Sequence, residues 1–464
     1  MQRFDRSIVD GPLAPAVWRL AWPTMLQNVI AGLQGIIDHV MVGHYVGFTA
    51  NAAIGVSWQI FLVVVVFTSS LFAGMGVLVA RFAGAGEPEK VNRVVHQAFL
   101  TSLVLSVVIA GAGWVLAPYL LDIVNAAPPV KAAALPFLRM AFAGNIGMMM
   151  IFMLGGAFRA AGDPGTPLRL GLVATVLNAA FNIVLIPRLG AVGAAVGTVS
   201  ANLIVAVAWN VLLFSGRGVV RVPRPISLAP DWAVIRSIVK FGLPTGLQGI
   251  AMNVAGVILL RFIGSLQYSA AAQAAYAVGY SELFSLITWT SIGLMSAAAT
   301  IAGQNLGAGK PERSIEGARV AARIGLGVAA IVGTAFIAVP GSLLGIFGMR
   351  DVHVVEIGAQ LLRFLTVSGF FVTVALVYNG ALQGAGDTKS PLYISLISQI
   401  AVPLTYCTTM DAIHGLRSAD IWTAIVLGHI TRCTLGVLRF RQGRWRHIKV
   451  DIGSSRSRDE GSGP

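Results

Sequence analysis

The chain has 464 residues, of which 56% are hydrophobic and only 11% charged, less than half the charged share of about a quarter usual in soluble proteins. Its formal charge is +14, but Lys and Arg fall in short clusters between long apolar runs and form no basic domain. This excludes a soluble, disordered or fibrous protein, gives no support to a nucleic-acid partner, and leaves a polytopic membrane protein.

A helix crosses the hydrocarbon core in about 20 residues. Apolar runs of that length lie near 14–42, 49–80, 94–117, 132–158, 167–187, 191–214, 235–264, 271–303, 317–346, 355–383, 390–410 and 419–440. They predict an all-α protein of twelve transmembrane helices. Pro23 and Pro244 lie inside the first and seventh runs and are expected to kink or start those helices. The N-terminus is not read as a cleaved leader, because Asp5 and Asp10 dilute its basic end and the first run is too long. Cys407 and Cys433 both sit in apolar runs and predict neither a disulfide framework nor a metal site. No phosphate-binding motif for ATP and no clustered catalytic groups are present, so an enzyme is not expected.

Lys and Arg counts set the orientation. With the N-terminus cytoplasmic, Arg3, Arg6, Arg19, Arg81, Lys90, Arg93, Arg159, Arg169 and most later basic residues fall inside. Lys131, Arg188, Arg350 and Arg417 lie outside. Both termini are therefore expected in the cytoplasm, with the chain in the cytoplasmic (inner) membrane.

The second half repeats the first. Pro23-Thr24-Met25-Leu26-Gln27 matches Pro244-Thr245-Gly246-Leu247-Gln248. Gly84-Ala85-Gly86 matches Gly307-Ala308-Gly309, and Ala161-Gly162-Asp163 matches Ala385-Gly386-Asp387. The offsets are 221, 223 and 224. Six helices per half make the repeat parallel. The expected domains are a bundle over 1–214, a cytoplasmic linker over 215–234, a second bundle over 235–440 and a basic, disordered tail over 441–464. Two pseudo-symmetric bundles leave a cleft, expected between the first, second, seventh and eighth helices, and suit a carrier working by alternating access.

Ile37-Asp38-His39-Val40-Met41-Val42-Gly43, the paired Gly-Ala-Gly and Ala-Gly-Asp loops, Gly193-Ala194-Ala195-Val196-Gly197-Thr198 and Arg439-Phe440-Arg441-Gln442-Gly443-Arg444-Trp445 together resemble MATE-family multidrug and toxin extrusion transporters. The resemblance spans nearly the whole chain. It implies export of amphipathic, often cationic compounds driven by inward proton or sodium flow. No cofactor is implied beyond the coupling ion, and the partners are small amphipathic molecules and membrane lipid, with the chain acting as a monomer. The alternative is a flippase for a lipid-linked precursor, which needs a more basic cavity.

Asp38 is the sharpest candidate for ion coupling. A carboxylate in an apolar helix costs about 2.5–3.5 kcal/mol on insertion scales and marks an ion path. Gln27, Gln34 and Asp38 share one helical face. At offset 221 the counterpart of Asp38 is Leu259, so the acid belongs to one half only. Asn178 and Asn182 share a face of the fifth helix, with the Thr198 hydroxyl as a further ligand. Many relatives carry Asp where this chain has Asn182. One carboxylate with amides holds a proton but makes a poorer sodium site, so the proton is favoured and Na+ at Asp38 is the alternative. Glu282, with Trp289 on its face, is the candidate cation attractor. Its structural alternative is pairing with Arg261. Gln34, Asn145 and Met149 complete the substrate candidates, the last as a flexible thioether, with core packing as the alternative.

Overall fold

The structure, a computed structural model, describes residues 4–46, 48–124, 127–222 and 227–452, with side chains except those of 36–40, 43 and 48–51. The first bundle contains α1 (Leu13–Tyr45), α2 (Phe48–Ala85) and α3 (Pro88–Ile123), then α4 in two pieces, Pro128–Ala143 and Asn145–Ala160. It closes with α5 (Gly165–Leu189) and α6 (Ala191–Ser215). The second contains α7 (Trp232–Gly264), α8 (Ser269–Gly307), α9 (Pro311–Ala338), α10 (Val352–Gly384), α11 (Lys389–His414) and α12 (Ser418–Arg441). Ten of these are individually long and apolar enough to span a membrane, and the two pieces of α4 together make an eleventh. The 33 residues of α1 reach about 50 Å at 1.5 Å per residue, long enough to cross the hydrocarbon core. Pro23 and Pro244 both lie inside continuous helices.

The repeat is visible atom by atom in the turns. α2 and α8 end on Gly86 and Gly309, with φ of 74° and 73°. α4 and α10 end on Gly162 and Gly386, with φ of 99° and 93°. Only glycine takes this left-handed cap without strain. The next residue closes each turn on the same carbonyl: Asp163 N–H on Phe158 at 2.9 Å, and Asp387 N–H on Leu382 at 2.9 Å.

The two bundles exchange their leading helices. Leu13, Val17 and Leu20 of α1 are buried in a core built by α8, α9 and α10. Val234, Ile238 and Phe241 of α7 are buried in the core of α2, α3, α4 and α6. These are the same three positions of the repeat, displaced by 221 residues. Each bundle therefore seals the other on the face that carries the chain termini.

The tail departs from the expected disorder as far as it is described. Arg444–His447 forms a 3-10 turn. Trp445 is fully buried, stacks on Phe440 at 4.7 Å and donates its indole N–H to the Phe440 carbonyl. Arg81 of α2 donates to the Ile448 carbonyl at 2.6 Å, and Ile452 is buried in the first bundle's core. The segment leaves α12 and crosses to the other bundle because its apolar residues find cover there. Residues 453–464 lie outside the described residues.

The N-terminus does the reverse. Lys310 meets Asp10 at 2.6 Å, Asn305 donates to the Ile8 carbonyl and Arg313 to the Gly11 carbonyl. The ammonium beside it holds the Asp10 carboxyl below its ordinary range.

Candidate functional site

A polar seam runs along α1, α5 and α6. Gly171 of α5 gives Gln27 room to lie against it, where an added Cβ would stand 3.1 Å from the amide. Further along, Thr175 donates its hydroxyl hydrogen to Gln34 Oε1 at 3.0 Å. Beyond that, Asn178 and Asn182 are both buried. Asn178 Nδ2 donates to Thr198 Oγ1 at 2.8 Å, and Asn182 Nδ2 donates to Asn178 Oδ1 at 3.2 Å. The amides reach α6 because Gly193 and Gly197 bring its backbone close. A Cβ at Gly197 would overlap the Asn182 side chain, and one at Gly193 the Leu185 carbonyl. The sequence-predicted Asn178, Asn182 and Thr198 thus form one hydrogen-bonded cluster, with both amides buried and the Thr198 hydroxyl half-buried. The Asp38 side chain lies outside the described residues. Its position in α1 is four residues beyond Gln34.

A second site lies between the bundles, a cavity of ≈ 270 Å³. Its walls come from α2, α4, α8 and α10, with Thr245 of α7. The expectation of walls from α1, α2, α7 and α8 is therefore half corrected. α4 and α10 replace α1, which is occupied in packing against α8. Among the described residues Arg159 is the single charged group in the wall, and the corresponding position of the repeat, Gln383, also lines it. Arg159 Nη1 donates to Gln27 Oε1 at 3.5 Å, and Gln383 Nε2 donates to Gln248 Oε1 at 3.0 Å. These two pairs are each other's repeat. No carboxylate lies in ion-pair range of Arg159 among the described residues.

The cavity is closed towards the terminal face. One to two turns past its walls, a Cβ at Gly84 would overlap the Gln304 carbonyl, and one at Gly307 the Arg81 carbonyl. The two contacts exchange under the 223-residue offset. Thr300 donates to the Arg159 carbonyl at 3.2 Å and Gln304 to the Ala160 carbonyl at 2.9 Å, fastening α8 to α4.

The remaining candidates stand elsewhere. Trp289 packs on Gly32 of α1, where a Cβ would overlap its indole ring, and its carbonyl accepts from Asn28 at 3.2 Å. Glu282 is half-buried in a π-helical turn, Ala277–Leu283, and accepts at its backbone carbonyl from Ser285 Oγ. It makes no ion pair with Arg261 among the described residues. Asn145 stands at the 47° break in α4. Its Nδ2 donates to Ser106 O at 3.0 Å and to Phe142 O at 2.8 Å, replacing ladder bonds lost at the bend. Met149 is buried in the first bundle's core. Neither lines the cavity. Sequence reasoning missed Arg159, Thr300 and Gln383 as wall residues. The signal available was the repeat itself, which pairs an Arg with a Gln at one position.

The MatE family model matches the chain twice, over residues 23–184 and 244–407, one match in each bundle. The chain is 26% identical over 442 residues to the "Probable multidrug resistance protein NorM" of Thermotoga maritima, covering 93% of both chains. It is 23% identical over 440 residues to the "Multidrug resistance protein MdtK" of Edwardsiella ictaluri, covering 92% of this chain and 95% of that one. A solved structure described as the outward-facing conformation of a multidrug resistance MATE family transporter of the MOP superfamily superposes with TM-score 0.88 at 20% identity, over 95% of this chain and 98% of the other.

Proposed function

This chain belongs to the MatE family, whose members are transporters rather than enzymes, and from that premise we propose that it is a multidrug exporter taking amphipathic, cationic compounds out of the cell in exchange for protons. The carrying observation is the cluster of the buried Asn178 and Asn182 amides with the half-buried Thr198 hydroxyl on the helices next to α1. Uncharged polar groups buried in lipid-level helices serve either packing or a bound ion. The Gln34–Thr175 contact fixes the register of α1 on α5. One helical turn further, α1 carries Asp38 and α5 carries Asn178. Asp38 is the coupling carboxylate in this reading. It is loaded with a proton from outside while the cavity is closed at the terminal face, and unloaded when the bundles rock the other way. Asn182 supplies an amide where sodium would need a further charged oxygen, so the proton is the ion and Na+ the alternative. Glu282 attracts the substrate cation and Trp289 offers it a ring face, with Gln34 as a polar group one helical turn before Asp38 in the sequence of α1. The chain acts as a monomer in the cytoplasmic membrane with both termini inside. The flippase alternative has little support, since the cavity wall offers one guanidinium for a diphosphate.

The test is Asp38→Asn, which keeps the shape of the protonated acid. Gradient-driven efflux should fall about tenfold or more while binding of a fluorescent cation changes less than about twofold. Efflux at the wild-type rate would remove Asp38 from the mechanism.

A further inference from the structure

A second polar pocket stands apart from the cavity between the bundles. It measures ≈ 640 Å³ and lies where α9, α10 and α12 reach the terminal face. Arg319 and Arg323 of α9, Arg441 at the end of α12 and the half-buried Tyr378 of α10 converge on it. Its two carboxylates are Glu312 and Glu316. Glu312 is engaged by Arg446 at 2.8 Å. That leaves three guanidinia facing one carboxylate.

The charge bias of a membrane protein explains why arginines lie on this face. It does not explain their convergence. The repeat sharpens the point, because the positions matching Arg319 and Arg323 in the first bundle are His96 and Leu100. Topology alone would be served by arginines in either half.

The direction in which the pocket opens is given by the helices that build it. Arg319, Arg323, Gly327 and Ile331 follow one another at intervals of four along one side of α9. Gly327 faces open space and Ile331 is 74% exposed, which in a membrane-spanning helix is contact with acyl chains. On α12, Leu438 is 51% exposed and lies one turn before Arg441. Two stripes thus run from hydrocarbon up to arginines at one membrane surface. Ile315, Val320 and Phe440 supply apolar wall between them.

We infer that this pocket binds the headgroup of an anionic phospholipid, with the phosphate held between Arg319, Arg323 and Arg441 and the acyl chains lying along the Ile331 and Leu438 stripes. Guanidinium forks match phosphate oxygens bidentately. Basic pockets between helices at a membrane surface are suited to such headgroups. The Tyr378 hydroxyl can add a donor to the same phosphate. Because the pocket also touches Arg446 of the terminal segment, a bound lipid would brace the part of the chain that crosses to the other bundle. The inference does not depend on the coupling ion or on the exported compound.

Purified full-length protein in detergent would be titrated with dioleoylphosphatidylglycerol, cardiolipin or dioleoylphosphatidylcholine, and separately with inorganic phosphate. Lipid retention by native mass spectrometry and the midpoint of thermal unfolding are read together. The anionic lipids should be retained and should raise the midpoint, and phosphatidylcholine should do neither. Arg319→Gln with Arg323→Gln should lose most of both effects, and Arg441→Gln alone a measurable part. Arg188→Gln with Arg350→Gln, whose arginines belong to the opposite face, should lose none. All these side chains are on the surface, so each variant should fold, as its midpoint without lipid reports. Equal retention and equal midpoint shift in the wild type and the Arg319/Arg323 variant would overturn the inference. A full shift from inorganic phosphate alone would also overturn it, by assigning the pocket to a soluble anion.

Discussion

The two bundles are copies in their turns, their exchanged leading helices and their seal, and differ at the break of α4, which the continuous α10 lacks, and at charged positions along the helices. Their turns use glycines at matching places, their leading helices are exchanged at matching positions, and Gly84 and Gly307 make mirror contacts across the seal. Departures in charge include Asp38 against Leu259, Glu282 against Gln59, and Arg159 against Gln383. A duplicated fold gains a rocking axis from its likeness and a direction for chemistry from its unlikeness. The shared parts should therefore fail alike when damaged, and the unshared parts should fail separately.

The largest effect should come from the shared seal. Gly84→Val and Gly307→Val each force a side chain into a carbonyl of the facing helix. Overpacking of this kind costs about 1–3 kcal/mol or more. Both variants should lose most of their monodisperse yield in fluorescence-detected size-exclusion chromatography, and to a similar degree. A severe defect in one with none in the other would break the symmetry argument.

A smaller and one-sided effect is expected at Gly197. Alanine there pushes against the Asn182 side chain without touching the second bundle. The protein should fold, with a destabilisation of about 1–2 kcal/mol, while gradient-driven efflux falls several-fold. Unchanged efflux would show that the Asn178–Asn182–Thr198 cluster is packing alone.

The smallest effect on stability should come from Arg159→Gln, which makes the first bundle like the second. Gln at this position can still reach Gln27, as Gln383 reaches Gln248. The unfolding midpoint should barely move. Removing the one positive charge that the described residues place in the cavity wall should lower KM for cationic dyes several-fold while leaving neutral substrates alone. Equal changes for both classes would place Arg159 in the seal rather than in contact with substrate.

Much of this was legible in the sequence, and for identifiable reasons. Twelve long apolar runs and three motif pairs at nearly constant offset state the helices and the duplication directly. Asn178 and Asn182 at a spacing of four identify a face, and the structure joins that face to Thr198. Which helices wall the cavity was not legible, because periodicity in an all-apolar helix does not say which neighbour each side meets. Hence α1 was expected at the cavity where α4 and α10 stand. Asn145 and Met149 read as a polar and a flexible group in the membrane. The structure spends the first on a helix break and the second on a core. The packing of residues 444–452 was hidden behind the basic residues that flank Trp445, since charge at a chain end reads as solvation.

The central claim is that transport is driven by a proton gradient through a single carboxylate in one half. Its most direct test is uptake of a fluorescent organic cation into inverted membrane vesicles under a pH gradient alone and, separately, a sodium gradient alone. Uptake driven by the pH gradient, collapsed by a protonophore and indifferent to sodium is the predicted result. Uptake that follows the sodium gradient and ignores pH would contradict it.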